Sequence, residues 1–113
     1  MILVAIKDTS VIRKGDKYFC FGIDVYLDRN KVYVFIRAND DGTPVLCELS
    51  DFSILSEGEL KHWKEKRFLN GLRIRILPKE FYEFDWDLYH DGDEYMQDEF
   101  ERIYSIFKNG QII

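Results

Sequence analysis

Ten carboxylates and no lysine or arginine fall between residues 80 and 101: Glu80, Glu83, Asp85, Asp87, Asp91, Asp93, Glu94, Asp98, Glu99 and Glu101. Set among them are Phe81, Tyr82, Phe84, Trp86, Tyr89 and Tyr95. Paired carboxylates such as Asp85 with Asp87, or Asp91 with Asp93, are raw material for acid–base catalysis, for a cation site, or for docking a cationic surface. Acid–base work needs two carboxylates whose environments push their pKa values apart, and no histidine or lysine motif accompanies these pairs. A calcium loop opening at Asp91 needs glycine at its sixth position and glutamate at its twelfth; Met96 and Arg102 stand there. His62 and His90 lie far apart without the companion ligands that zinc requires. Neither a nucleophile elbow nor a glycine-rich phosphate loop occurs. Cys20 and Cys47 lie in aromatic, β-branched stretches, whereas reactive thiols sit at helix N-termini or beside cations. The reading is a non-enzyme with no metal and no cofactor, and docking is the chemistry that survives.

Charge is segregated along the chain. Residues 1–79 carry a net charge of +3, residues 80–101 carry −10, and residues 102–113 carry +2, within a total of −5. Part of the acidic run has a local explanation, because negative charge is favoured at a helix N-terminus; that covers Asp91, Asp93, Glu94 and Asp98, but not the acids from Glu80 to Asp87. Crowded like charges repel in the isolated protein, and a basic partner relieves the repulsion. Acids speed encounter with a cationic surface and aromatics supply buried anchors. The expected partner-binding residues are therefore Glu83, Asp85, Asp87, Asp91 and Asp93 for charge, with Tyr82, Trp86 and Tyr89 as anchors.

The elements that must position these residues follow from pattern. The apolar opening 2–7 reads as a strand. It is too short for a signal-peptide core or a membrane span, so a cytoplasmic protein with two buried free thiols is expected. Residues 17–27 read as a long strand bent at Gly22, residues 32–38 as its return after a turn at 28–31, and 43–49 and 52–55 as two more strands flanking Ser50-Asp51. Asn39-Asp40-Asp41-Gly42 is a strong turn signal. Ser56 with Glu59 forms a capping box and predicts a helix to about Leu69, closed by Asn70-Gly71. Residues 72–77 alternate strictly, which predicts a strand with Arg73 and Arg75 outward. Residues 80–90 read as extended. Asp91 with Glu94 reads as a second capping box, opening a helix that turns Met96, Phe100, Ile103 and Phe107 inward.

The expectation is one α+β domain: a bent antiparallel sheet or SH3-like barrel from residues 1–55, then a helix, a strand and a C-terminal helix carrying the acidic strip. Residues 1–55 resemble small SH3-like barrel modules at Ile6-Lys7-Asp8-Thr9-Ser10, Lys14-Gly15-Asp16-Lys17-Tyr18, Asn39-Asp40-Asp41-Gly42 and Asp51-Phe52-Ser53-Ile54-Leu55. That resemblance speaks to fold and not to function. In size, acidity and want of a catalytic signature the whole chain resembles bacterial toxin-immunity proteins, including those of contact-dependent growth inhibition. It equally resembles phage inhibitors that mimic DNA charge. The first resemblance implies a stoichiometric inhibitor whose acidic, aromatic surface covers a basic toxin nuclease. A third reading is a nucleic-acid-binding barrel using the cations from Lys61 to Arg75, against which the acidic run counts.

Overall fold

The computed structural model of the chain describes residues 1–38, 42–57, 63–82 and 84–110. Among them it contains strands β1 (Ile2–Ala5), β2 (Lys17–Phe19), β3 (Gly22–Tyr26), β4 (Lys31–Arg37), β5 (Pro44–Glu48), β6 (Phe52–Ser56), β7 (Trp63–Phe68) and β8 (Arg73–Pro78), then helices α1 (Lys79–Tyr82), α2 (Trp86–His90) and α3 (Glu94–Gly110). The fold is α+β and ends in a helix, as the sequence leads one to expect. The strands form two antiparallel sheets, ordered β2-β1-β6 and β5-β4-β3-β8-β7. The strands of residues 1–55 are thus divided between two sheets, and β7 and β8 complete the larger one.

Strand pairing fixes which residues share a face, because side chains alternate across the sheet. Val34 and Ile36 of β4, with Ile23, Val45, Cys47 and Trp63, turn toward the small sheet and close on Leu3, Ala5, Ile12, Tyr18 and Phe52. The opposite face of the large sheet is laid out in rows. Leu46, Phe35, Gly22, Leu77 and Lys64 lie across one row; Glu48, Tyr33, Asp24, Arg75 and Lys66 lie across the next; Lys31, Tyr26, Arg73 and Phe68 form the third. The helices gather over the first row. Phe19, Phe21 and Leu77 pack there with Phe81, Phe84, Tyr89, Phe100, Ile103 and Tyr104.

Gly22 lies where the chain leaves one sheet for the other, so the expected single strand 17–27 is two strands in different sheets. A Cβ at Gly22 would stand 2.3 Å from Leu77 Cδ2 and 2.7 Å from Phe35 Cδ2, so the glycine is required by close approach. The helix expected from Ser56 is not found in its described part. Residues 58–62 lie outside the described residues, and Trp63–Phe68 is a strand at the sheet edge. Lys64, Glu65, Lys66 and Arg67 suit a helix by propensity, but pairing along β8 from Trp63↔Pro78 to Phe68↔Arg73 overrides it. Charged residues on this strand blunt an edge that would otherwise invite further pairing. The turn expected at 39–42 lies outside the described residues except for Gly42. Cys20 and Cys47 are free; Cys20 is buried, whereas Cys47 is half-buried.

Arg37 ties the helices to the sheet. Its side chain is 1% exposed, and its guanidinium donates to both carboxylate oxygens of Glu101 on α3 at 3.0 and 2.7 Å and to the Gly42 carbonyl at 2.6 Å. It also lies over the rings of Phe100 and Tyr104.

Two consequences are measurable. Gly22→Ala should cost about 1–3 kcal/mol of stability in denaturant unfolding, the range for overpacking. Burial pushes the Cys20 thiol up to about 11, from 9.0 when exposed. The folded state therefore keeps a proton that the unfolded state releases, and this contribution to stability is present below pH 9 and lost as pH rises toward 11. Cys20→Ala should remove that part of the alkaline loss, read as a flatter melting-temperature profile between pH 9 and 11 than in the parent.

Candidate functional site

The residues of the acidic segment are sorted by the helices that carry them. The stretch 80–90 is not extended as expected; α1 and α2 occupy most of it, and Phe84 and Asp85 lie outside either helix. Asp85 caps α2, its Oδ1 accepting from the Leu88 N–H at 3.0 Å. A short helix this rich in aromatics buries one side, and Tyr89 is 8% exposed among Phe84, Trp86 and Phe100. Trp86 is half-buried, donates from Nε1 to the Phe81 carbonyl at 3.0 Å, and packs on Phe81 and Phe84. The Tyr82 hydroxyl sits 2.7 Å from the carbonyl oxygens of both Lys64 and Arg75, pinning α1 to β7 and β8. Burial raises the pKa of the Tyr82 hydroxyl.

The three expected anchors are therefore packed, wholly or in part, against the protein itself. Tyr89 belongs to the core, and Tyr82 and Trp86 spend their polar atoms on the protein's own backbone. The reason is physical: Phe81, Phe84 and Tyr89, together with Phe100, Ile103 and Tyr104 of α3, cover Phe21 and Leu77. The expected charges fare differently. Asp85, Asp87 and Asp91 are exposed and Asp93 is half-buried; Glu83 lies outside the described residues. The α2–α3 turn is closed by Gly92, at φ +88°, with its N–H donating to the Tyr89 carbonyl at 3.2 Å and the Asp93 N–H donating to Leu88 at 3.1 Å. Asp93, not Asp91, caps α3: its Oδ1 accepts from the Met96 N–H at 2.9 Å. Asp91 is left outside the cap. Met96, Phe100, Ile103 and Phe107 face inward as expected, and Tyr104 joins them.

The arginines of β8 do not fold across the acidic segment. Arg75 donates to both oxygens of Asp24, at 2.8 and 2.9 Å, and Asp24 is 0% exposed. That hydrogen bond, first among its causes, raises the Arg75 pKa. Arg73 lies over the Tyr26 ring at 4.0 Å. Within the segment, Glu99 pairs with Arg102 on the same helix and Glu101 with Arg37; the Glu99 carboxyl is lowered by its bond to Arg102. The result is a face around the α2–α3 turn, carrying Asp87, Asp91 and Glu94, with the exposed ring of Tyr95, 74% accessible, beside it. Next to α2 is a groove of about 360 Å³ lined by Phe35, Pro44, Val45, Leu46, Arg75, Leu77, Trp86 and His90. His90 stacks on Trp86 at its lip.

Sequence reasoning missed the Asp24–Arg75 pair. The signal was present: an aspartate inside a β-branched, aromatic strand must be paired if buried, and the alternating arginines of 72–77 were the available cations. Among the described residues no group of three or more His, Cys, Asp or Glu side chains is placed to hold a metal ion, and no helix is long and apolar enough to cross a membrane. No family model matches the chain, and no curated protein or solved structure is significantly similar to it.

The cap assignment has a direct test. Asp93→Ala should destabilise the protein by about 1 kcal/mol, the ordinary cost of losing an N-cap, while Asp91→Ala should change stability by less than about 0.5 kcal/mol, as an exposed substitution does. Chemical unfolding of the two variants separates them.

Proposed function

We propose that this protein is a non-catalytic binding protein that docks a basic protein partner on the acidic face around the α2–α3 turn, and that it serves as an immunity protein neutralising a toxin nuclease. The observation that carries the reading is where the nearby arginines go. Arg75 pairs with Asp24, Arg37 pairs with Glu101 and Arg73 lies over Tyr26, so none of them pairs with Asp87, Asp91 or Glu94, which remain a solvent-facing group. A nuclease active site is built to hold phosphates and is cationic, and such a face complements it. Tyr89 is buried, and Tyr82 and Trp86 are half-buried against the protein's own core. Tyr95 and Leu88, both exposed next to these acids, are better placed to enter a partner's surface.

The test takes the product of the gene immediately upstream as the partner. The chain should suppress a nuclease activity of that product at one-to-one stoichiometry. Asp87→Lys combined with Asp91→Lys should slow association about tenfold, because exposed charges act chiefly on the on-rate, and should leave the melting temperature nearly unchanged. Full nuclease activity in the presence of excess wild-type chain would contradict the proposal.

A further inference from the structure

The end of the large sheet that the helices leave uncovered carries chemistry which the acidic face does not use. Its second and third rows bring together Tyr33, Tyr26 and Phe68, all half-buried, with Lys66, Arg73 and Lys31. Tyr26 and Tyr33 meet edge to face at 5.1 Å. Cations lie on rings: Arg73 over Tyr26 at 4.0 Å, Arg29 over Tyr26 at 5.6 Å and Lys66 over Phe68 at 5.3 Å. Lys64 continues the line along β7 and is exposed. The two acids of these rows are already matched, Asp24 by Arg75 and Glu48 by Lys31 at 3.3 Å. Among the described residues Arg73 has no carboxylate partner, and its Nε is buried without a hydrogen-bond acceptor. A protein of net charge −5 thus keeps a cationic, aromatic patch on one sheet.

We propose that this sheet surface binds single-stranded nucleic acid, with Lys64, Lys66 and Arg73 meeting backbone phosphates and the Tyr26–Arg73 stack, Tyr33 and Phe68 offering planes to unstacked bases. Aromatic rings and arginine planes on a β-sheet recognise splayed bases, while cations beside them track the backbone. Charge complementarity selects this occupant: a polyanion gains from Lys64, Lys66 and Arg73, whereas a basic peptide would meet them as repulsion. Asp87, Asp91 and Glu94 belong to the helical layer gathered over the other end of the same face, so the bound strand crosses β4, β3, β8 and β7 along the second and third rows, and this site is independent of the acidic face.

The experiment is fluorescence anisotropy of the full chain with labelled oligouridylate about 12 nucleotides long, within the site sizes such surfaces cover, at about 50 mM salt. Binding should weaken with salt with a log–log slope of about −2.1, three phosphates at about −0.7 each. Lys66→Glu should cut affinity about tenfold and flatten that slope. Tyr33→Ala should cut affinity at least fivefold with the slope unchanged, since stacking carries no counterions. Asp87→Lys with Asp91→Lys should leave binding intact or strengthen it, which keeps this result separate from the acidic-face proposal. No binding at about 50 mM salt, equal affinity for the matching duplex, insensitivity to both Lys66→Glu and Tyr33→Ala, or salt-sensitive self-association that accounts for the signal would each overturn it.

Discussion

A guanidinium removed from water must be met on every side, and Arg37 is. It has a bidentate carboxylate from Glu101, a carbonyl from Gly42 and two aromatic faces from Phe100 and Tyr104. Charge-assisted, bidentate bonds of this kind fix geometry as well as energy. Because Glu101 sits one residue past Phe100, satisfying Arg37 also presses Phe100 against Phe21, Phe81 and Tyr89. The rotation of α3 is set by that contact, and α1 and α2 pack into the space that remains. The acidic face follows from this: once the aromatics of 81–89 are needed to complete the core under α3, Asp85 and Asp87 have only the solvent side left.

That division explains how far the sequence could be read. Strand positions from 2 to 56 were legible because alternation and turn residues act locally, and Gly22 was marked as special although its reason, side-chain approach by Phe35 and Leu77, is tertiary. The inward face of α3 was legible from its spacing. Trp63–Phe68 was not, because its residues favour a helix and only pairing with β8 makes them a strand. The segment 80–90 read as extended because two helices of four and five residues are too short to show a period. At the candidate site, the exposure of Asp85, Asp87 and Asp91 was legible from their charge, whereas composition shows that Tyr82, Trp86 and Tyr89 are present but not which side of α1 and α2 they take. The Asp91 cap failed by one structural detail, the left-handed Gly92, which moves the helix start to Asp93.

Charge segregation in the chain becomes charge segregation in space. Two carboxylate–guanidinium pairs, Asp24 with Arg75 and Glu101 with Arg37, are consumed in joining elements far apart in sequence. Asp87, Asp91 and Glu94 lie on the helical layer, and Lys66 and Arg73 lie on the open rows of the large sheet. Each pole is a surface whose charge the protein itself does not balance. The two functional proposals rest on these separate poles and share no residue.

The central claim is that the aromatics of residues 81–89 pack against the protein's own core while Asp87, Asp91 and Glu94 face water. Carbodiimide labelling of the native protein, mapped by mass spectrometry residue by residue, tests it most directly. Asp87, Asp91 and Glu94 should be modified rapidly while Asp24 stays protected until the protein unfolds. Protection of Asp87 and Asp91 in the free protein, or labelling of Asp24 as fast as theirs, would contradict the account.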